Sequence, residues 1–167
     1  MKLKDLMEQY GDYEVSETKG DWYDANHVTL ELKKPKPKSV WDLKDEDLYY
    51  WIDGLGNVRK EHVWRDESAD PMARAVGNVF LTREEALRDV ERRKVETLLL
   101  KHGGRRWYKF SESNYYIRYQ REYGMNIEYL SYTWEQGVIY FDSREELTEA
   151  IEEIGEERIR KALFEVR

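Results

Sequence analysis

Val79-Phe80-Leu81-Thr82-Arg83-Glu84-Glu85-Ala86 reads as the end of a strand running into the start of a helix. Val79, Phe80 and Leu81 are apolar and suit extended backbone. Thr82 is a residue type that caps helices, and Glu85, three positions on, completes a capping box in which each side chain satisfies the other's free backbone amide. Carboxylates here also face the positive end of the helix dipole. The pattern returns as Tyr140-Phe141-Asp142-Ser143-Arg144-Glu145-Glu146-Leu147, with Ser143 as cap and Glu146 as its partner. At the same interval Val90 matches Ile151 and Glu91 matches Glu152. The chain is therefore expected to be α+β, with short antiparallel sheets packed against capped helices in a repeated strands-then-helix unit.

The flanking sequence fits this reading. Before the first copy, 49–52 reads as a strand, 54–57 as its turn, 58–64 as the return strand and 66–71 as a polar loop. The helix is expected over 83–100 and is stopped by Gly103 and Gly104. Its stripe of Ala86, Leu87, Val90 and Leu98 is interrupted at Lys94, which implies a face only partly covered. Before the second copy, 107–110, 115–119 and 126–132 read as three strands with turns at 111–114 and 122–124. A helix follows over 144–154, broken by Gly155, and a last one over 156–164 turns Ile159, Leu163 and Phe164 inward. At the other end, Leu3, Leu6 and Met7 suggest a helix over 2–10, and strand-like runs at 13–16 and 28–32 suggest a hairpin. Lys33-Lys34-Pro35-Lys36-Pro37-Lys38 is a basic linker whose prolines block helix and discourage a central strand. The expected organisation is 1–40 as helix, hairpin and linker, 41–104 as the first sheet-helix unit, and 105–167 as the second with acidic C-terminal helices.

Composition narrows the chemistry. The 167 residues suffice for a core, and hydrophobic residues make up 40% of them. With no cysteine, disulfides and thiolate chemistry are excluded. No apolar run is long enough for a signal peptide or a membrane span, so a cytoplasmic location is expected. The net charge of -7 opposes a phosphate backbone, which makes nucleic acid the less expected partner.

Catalytic and metal-binding patterns are weak. His27, His62 and His102 are scattered without ligand spacing, and no nucleophile elbow or phosphate-cradling loop occurs. Acidic clusters at Asp42, Asp45, Glu46 and Asp47, and at Asp66, Glu67 and Asp70, match no calcium loop. No cofactor, catalytic residue or metal ligand is assigned. Two surfaces remain. Glu145, Glu149, Glu152 and Glu156 are spaced four, three and four apart and would line one helical face, able to imitate the regular charge of a nucleic-acid backbone. In the strands, Tyr115, Ile117 and Tyr119 point one way and Tyr116, Arg118 and Gln120 the other. A sheet face left open would expose Tyr116, Arg118 and Tyr132 to a partner, although core packing is the default role of such rings.

Met1-Lys2-Leu3-Lys4-Asp5-Leu6, the linker from Leu32 to Trp41, Gly77-Asn78-Val79-Phe80-Leu81-Thr82-Arg83-Glu84-Glu85-Ala86 and Ile154-Gly155-Glu156-Glu157-Arg158-Ile159 give the chain a resemblance to small proteins of unassigned function encoded by phages and integrated mobile elements of Firmicutes. The resemblance supplies no catalytic residue. It implies an accessory protein that binds host or competing-element machinery. The expected function is a non-catalytic interaction module, in its most concrete form an acidic inhibitor or decoy of a nucleic-acid-handling protein. A single-stranded nucleic-acid-binding accessory protein, a carboxylate-dependent enzyme and a structural protein stand as alternatives. The oligomeric state is left open by the sequence.

Overall fold

The computed structural model describes residues 14–20, 28–33, 35–66, 69–110 and 112–164. The helix expected over 2–10 lies outside the described residues. Strands β1 (Glu14–Gly20) and β2 (Val28–Lys33) pair antiparallel, with a register shift between Val15 and Glu17. Ser39 then caps a single 3-10 turn at Val40–Asp42, where Asp42 Oδ2 accepts from the Ser39 amide at 2.9 Å. Strands β3 (Leu48–Ile52) and β4 (Val58–Val63) form a second antiparallel hairpin. Its turn is held by Asp53, whose Oδ1 accepts from the amides of Leu55 and Asn57 at 2.9 Å each.

The expected loop at 66–71 instead leads into a short helix, α1 (Ala69–Ala75). Pro71 is tolerated because it sits in the first turn, where its missing N–H would have had no intrahelical partner. Asp70 in the same turn is buried, its two oxygens accepting from Tyr49 Oη and from the Arg65 amide at 2.9 Å each. Arg74 places its guanidinium 4.8 Å from the Trp41 ring and 4.7 Å from the Trp64 ring, pinning the segment after the linker onto α1 through cation–π contacts.

The long helix α2 (Arg83–Lys101) follows, then the hairpin of β5 (Asn114–Gln120) and β6 (Gly124–Leu130), then α3 (Arg144–Ile154) and α4 (Glu156–Phe164). The echo in the sequence is an echo in space. Phe80, two residues before the α2 cap, exchanges both backbone hydrogen bonds with Tyr50 of β3, at 2.9 Å each. Phe141, two residues before the α3 cap, does the same with Tyr115 of β5, at 2.8 and 3.0 Å. In both units, therefore, the residue ahead of the helix makes a third, one-residue strand on the hairpin. The caps differ. Thr82 and Glu85 form the full reciprocal box, whereas Ser143 accepts from the Glu146 amide at 3.1 Å without a return bond from Glu146.

Helix α2 serves both units. Ala86 and Val90 are buried beneath the first hairpin with Ile52. Val95 and Leu99 are buried in the core of the second unit, with Ile117, Phe141, Leu147 and Ile159. At about 100° per residue the two pairs point in nearly opposite directions. The break at Lys94 marks the place where the buried face changes sides. It is not a half-covered stripe, and Leu87, expected inside, is 40% exposed. Beyond the helix, a Cβ on Gly104 would sit 2.6 Å from Leu99 O and 2.6 Å from Ile139 Cγ2, so only glycine allows this close return of the chain. Arg158 Nε lies 2.6 Å from Glu91 Oε1, tying α4 to the same spine. Among the described residues, no helix is long and apolar enough to cross a membrane.

Candidate functional site

The strand expected at 107–110 is not one. Only Arg105 pairs, exchanging hydrogen bonds with Tyr140 at 2.8 and 2.9 Å. The backbone that would have formed a ladder is instead held by side chains. Asn114, fully buried, accepts from the Lys109 amide at 2.9 Å and donates to the carbonyls of Lys109, Glu112 and Leu130 at 2.8, 2.7 and 3.1 Å. Arg105, also buried, donates from Nη2 to Asn114 Oδ1 at 2.7 Å, from Nε to Asp142 Oδ1 at 3.0 Å and from Nη1 to the Trp107 carbonyl. Lys109 Nζ takes the other Asp142 oxygen at 2.7 Å. The hydrogen bond from Lys109 holds the Asp142 carboxyl below the usual range; burial opposes it, and the hydrogen bond and charge of Arg105 add to the lowering. The loop over 104–110 is thereby locked to the start of α3.

A second loop, over 131–139, lies against it. Tyr140 Oη donates to the Glu135 carbonyl and accepts from the Glu135 amide, both at 2.7 Å. Tyr116 Oη reaches Glu135 Oε1 at 3.1 Å and Glu128 Oε2 at 3.3 Å. Burial, and then the bond to Glu135, push the Tyr116 phenol up to about 12. Tyr108 and Tyr116 both pack on Tyr140, with ring centroids 5.7 and 6.0 Å away. The outer face of the β5–β6 hairpin is thus covered by these loops at Tyr116, while Arg118 and Asn126 farther along it stay exposed.

This changes the standing of the expected aromatic contacts. Tyr116 is 1% exposed and positions the loop over it instead of meeting a partner. Arg118 is exposed but ion-paired with Glu128 at 2.9 Å. Tyr132 is exposed as expected and stands edge-on to Phe110, with centroids 6.3 Å apart. Sequence reasoning missed the rest of the surface: Trp107, Phe110 and Trp134 are each about two-thirds exposed or more. A signal was present in Thr133-Trp134-Glu135-Gln136-Gly137, where a tryptophan stands among turn-forming residues with no apolar neighbour to bury it. Four large rings, carried outward on loops with a buried polar anchor, make the kind of surface that proteins use for binding.

The acidic face adjoins it along the chain. Glu145, Glu149 and Glu152 lie on α3 opposite the buried Leu147, Ala150 and Ile154, all three exposed and without an ion-pair partner among the described residues. Glu156 is exposed too, but it leaves the stripe. Gly155, at φ +93°, ends α3 and redirects the chain, so Glu156 opens α4.

Other carboxylates have structural duties. A groove of about 370 Å³ has Glu85 and Asp89 on its wall. Glu85 is used in the α2 cap, and Asp89 is held by Arg92 at 2.5 Å and Arg93 at 2.6 Å. Among the described residues, no group of three His, Asp or Glu side chains is placed to hold a metal ion.

No protein-family model matches the chain, and no curated protein or solved structure is significantly similar to it. The resemblance to phage and mobile-element proteins draws no support from these comparisons.

Proposed function

We propose that this chain is a non-catalytic protein-interaction module that grips a partner with the rings of its two anchored loops. The observation that carries this reading is the pairing of exposure with rigidity: Trp107, Phe110, Tyr132 and Trp134 face outward, while Arg105, Asn114 and Asp142 fix the first loop and Tyr140 and Tyr116 hold the second through Glu135. Trp and Tyr on a preorganised backbone bury much area for little lost entropy, and such residues dominate binding energy at interfaces. The acidic face of Glu145, Glu149 and Glu152 begins three residues after Asp142 and would steer the module toward a positively charged partner. A host or competing-element protein that handles nucleic acid has such a surface, and blocking it is the inhibitor or decoy role in its concrete form. A cytoplasmic setting belongs to the same proposal and rests on the cysteine-free sequence.

Nucleic acid itself fits the site less well. Arg105 and Lys109 are paired with Asp142, Arg106 with Glu96, and Arg118 with Glu128, so these four cations are already neutralised. A phosphate backbone would have to displace carboxylates to reach them.

The test is affinity capture from lysate of the source cell, comparing the native chain with Trp107→Ala/Tyr132→Ala and with a Glu145→Lys/Glu149→Lys/Glu152→Lys variant. A specific partner should be lost with the ring variant, and should associate more slowly with the charge-reversed one at low salt. Identical recovery by all three proteins would end the proposal.

A further inference from the structure

The β5–β6 ladder runs without a register shift from Asn114 opposite Leu130 to Gln120 opposite Gly124, whereas the other two hairpins are both interrupted. Strand β5 has β6 on one side and the Phe141 bridge on the other. Strand β6 has a neighbour on one side alone among the described residues, and none of its seven residues is buried. Natural edge strands are usually protected by proline, lysine, a bulge or an unpaired charge. Gly124-Met125-Asn126-Ile127-Glu128-Tyr129-Leu130 carries none of these, because its single charge, Glu128, is neutralised by Arg118.

We infer that β6 pairs with β6 of a second copy, antiparallel about Ile127, to make a continuous four-stranded sheet across a two-fold axis. The sequence of the strand complements itself in this register. Ile127 meets its own copy, Met125 meets Tyr129, and Asn126 meets Glu128, an amide donor facing a carboxylate. Within each chain Ile117 is opposite Ile127, so the register lines up four isoleucines across the inner face of the sheet. Met125 beside Tyr129 is a favourable sulfur–aromatic pair, and Tyr129 is 64% exposed in the single chain. On the outer face Arg118 is opposite Asn126. Each cross-strand row therefore reads Arg118, Asn126, then Glu128 of the second copy, with opposite charges facing across the axis. A free backbone edge and complementary side chains meet in one register, and a closed two-fold pairing leaves no further β6 edge to propagate.

The absence of cysteine makes this register directly testable. Residues directly opposite in an antiparallel pair lie about 4.5–5.5 Å apart at Cα, within disulfide reach, while those displaced by two positions fall outside it. Ile127→Cys should give an oxidised covalent dimer. Asn126→Cys and Glu128→Cys should give none separately and a cross-linked heterodimer when mixed. Analytical ultracentrifugation of the otherwise native chain supplies the second measurement. Asn126→Glu sets two pairs of like charges across the axis while leaving each new carboxylate beside its own Arg118, and should weaken the dimer about tenfold. Asn126→Lys faces Glu128 and should tighten it. A native chain that stays monomeric at high concentration, a different cross-linking pattern, or equal effects of the two Asn126 substitutions would overturn the inference. None of these substitutions touches the rings of the two loops, so this dimer and the partner-binding surface stand or fall separately.

Discussion

Arg105 Nη2 and Asn114 Oδ1 meet at 2.7 Å in the interior, and through that contact a loop without secondary structure acquires a fixed shape. Asn114 alone joins Arg105 to four backbone groups of Lys109, Glu112 and Leu130. Removing its amide leaves several of these groups buried without partners, each costing about 1–3 kcal/mol. Asn114→Ala should therefore destabilise the fold by about 3 kcal/mol or more, measured by urea denaturation. Limited proteolysis should also find new cleavage within 104–110. Unchanged stability would mean that the loop is held by its rings and not by this amide.

The two caps look alike in sequence and differ in space, which makes them a matched experiment. Glu85 Oε2 accepts from the amides of both Leu81 and Thr82 at 3.1 Å, whereas Glu146 returns no bond to Ser143. Thr82→Ala and Ser143→Ala should each cost about 1 kcal/mol, because each hydroxyl serves an amide of the first turn. Glu85→Ala should cost a similar amount and Glu146→Ala only a few tenths, beyond the small shared effect of the helix dipole. Equal losses at the two glutamates would show that the cap geometry does not decide the difference.

Alkaline pH should loosen the second unit in a predictable direction. An unfolded tyrosine ionises near 10, but Tyr116 is held up to about 12 by burial and by the carboxylates of Glu135 and Glu128. The folded state thus keeps a proton that the unfolded state has lost. The stabilisation is whole below about pH 10 and drains away as pH rises toward about 12. Tyr49 is raised as well, by burial first and then by its bond to Asp70, and adds to the same trend. Tyr116→Phe should flatten the fall of stability over this window by about 1.4 kcal/mol per pH unit. A slope identical to that of the native chain would place the alkaline transition elsewhere.

How far the fold could be read from the sequence depended on how local each signal was. Phe80-Leu81-Thr82 and Phe141-Asp142-Ser143 announce strand ends and caps through neighbouring residues, and both are where they were expected. The strands at 49–52 and 115–119 follow from alternation in the same way. The segment 107–110 misled because Trp107-Tyr108-Lys109-Phe110 has strand composition, while its conformation is set by Asn114 and by Arg105, whose main anchor, Asp142, is distant in sequence. The candidate surface was half visible for the same reason. The α3 glutamates follow from helix periodicity, but Tyr132 lies past the end of β6 at Leu130, and which rings stay outside depends on loops that only tertiary contacts define.

The reading of α2 is where local periodicity and tertiary structure part most clearly, and it yields a substitution test with opposite expectations. If Lys94 interrupted a single apolar stripe, Lys94→Leu would repair the stripe and stabilise the protein. In the structure Lys94 is an exposed residue at the point where burial passes from Ala86 and Val90 to Val95 and Leu99 on the far side. Lys94→Leu should then change stability by no more than about 0.5 kcal/mol, as ordinary surface substitutions do. Leu87→Ala, on the exposed flank, should be similarly mild. Leu99→Ala removes a side chain only 1% exposed from the core shared with Ile117 and Phe141, and should cost about 2–5 kcal/mol. Because α2 is common to both cores, that loss should lower a single unfolding transition seen alike by tryptophan fluorescence, to which the buried Trp64 of the first unit contributes, and by far-ultraviolet circular dichroism. A gain in stability from Lys94→Leu, or a first unit that unfolds unchanged after Leu99→Ala, would show that the helix does not couple the two halves.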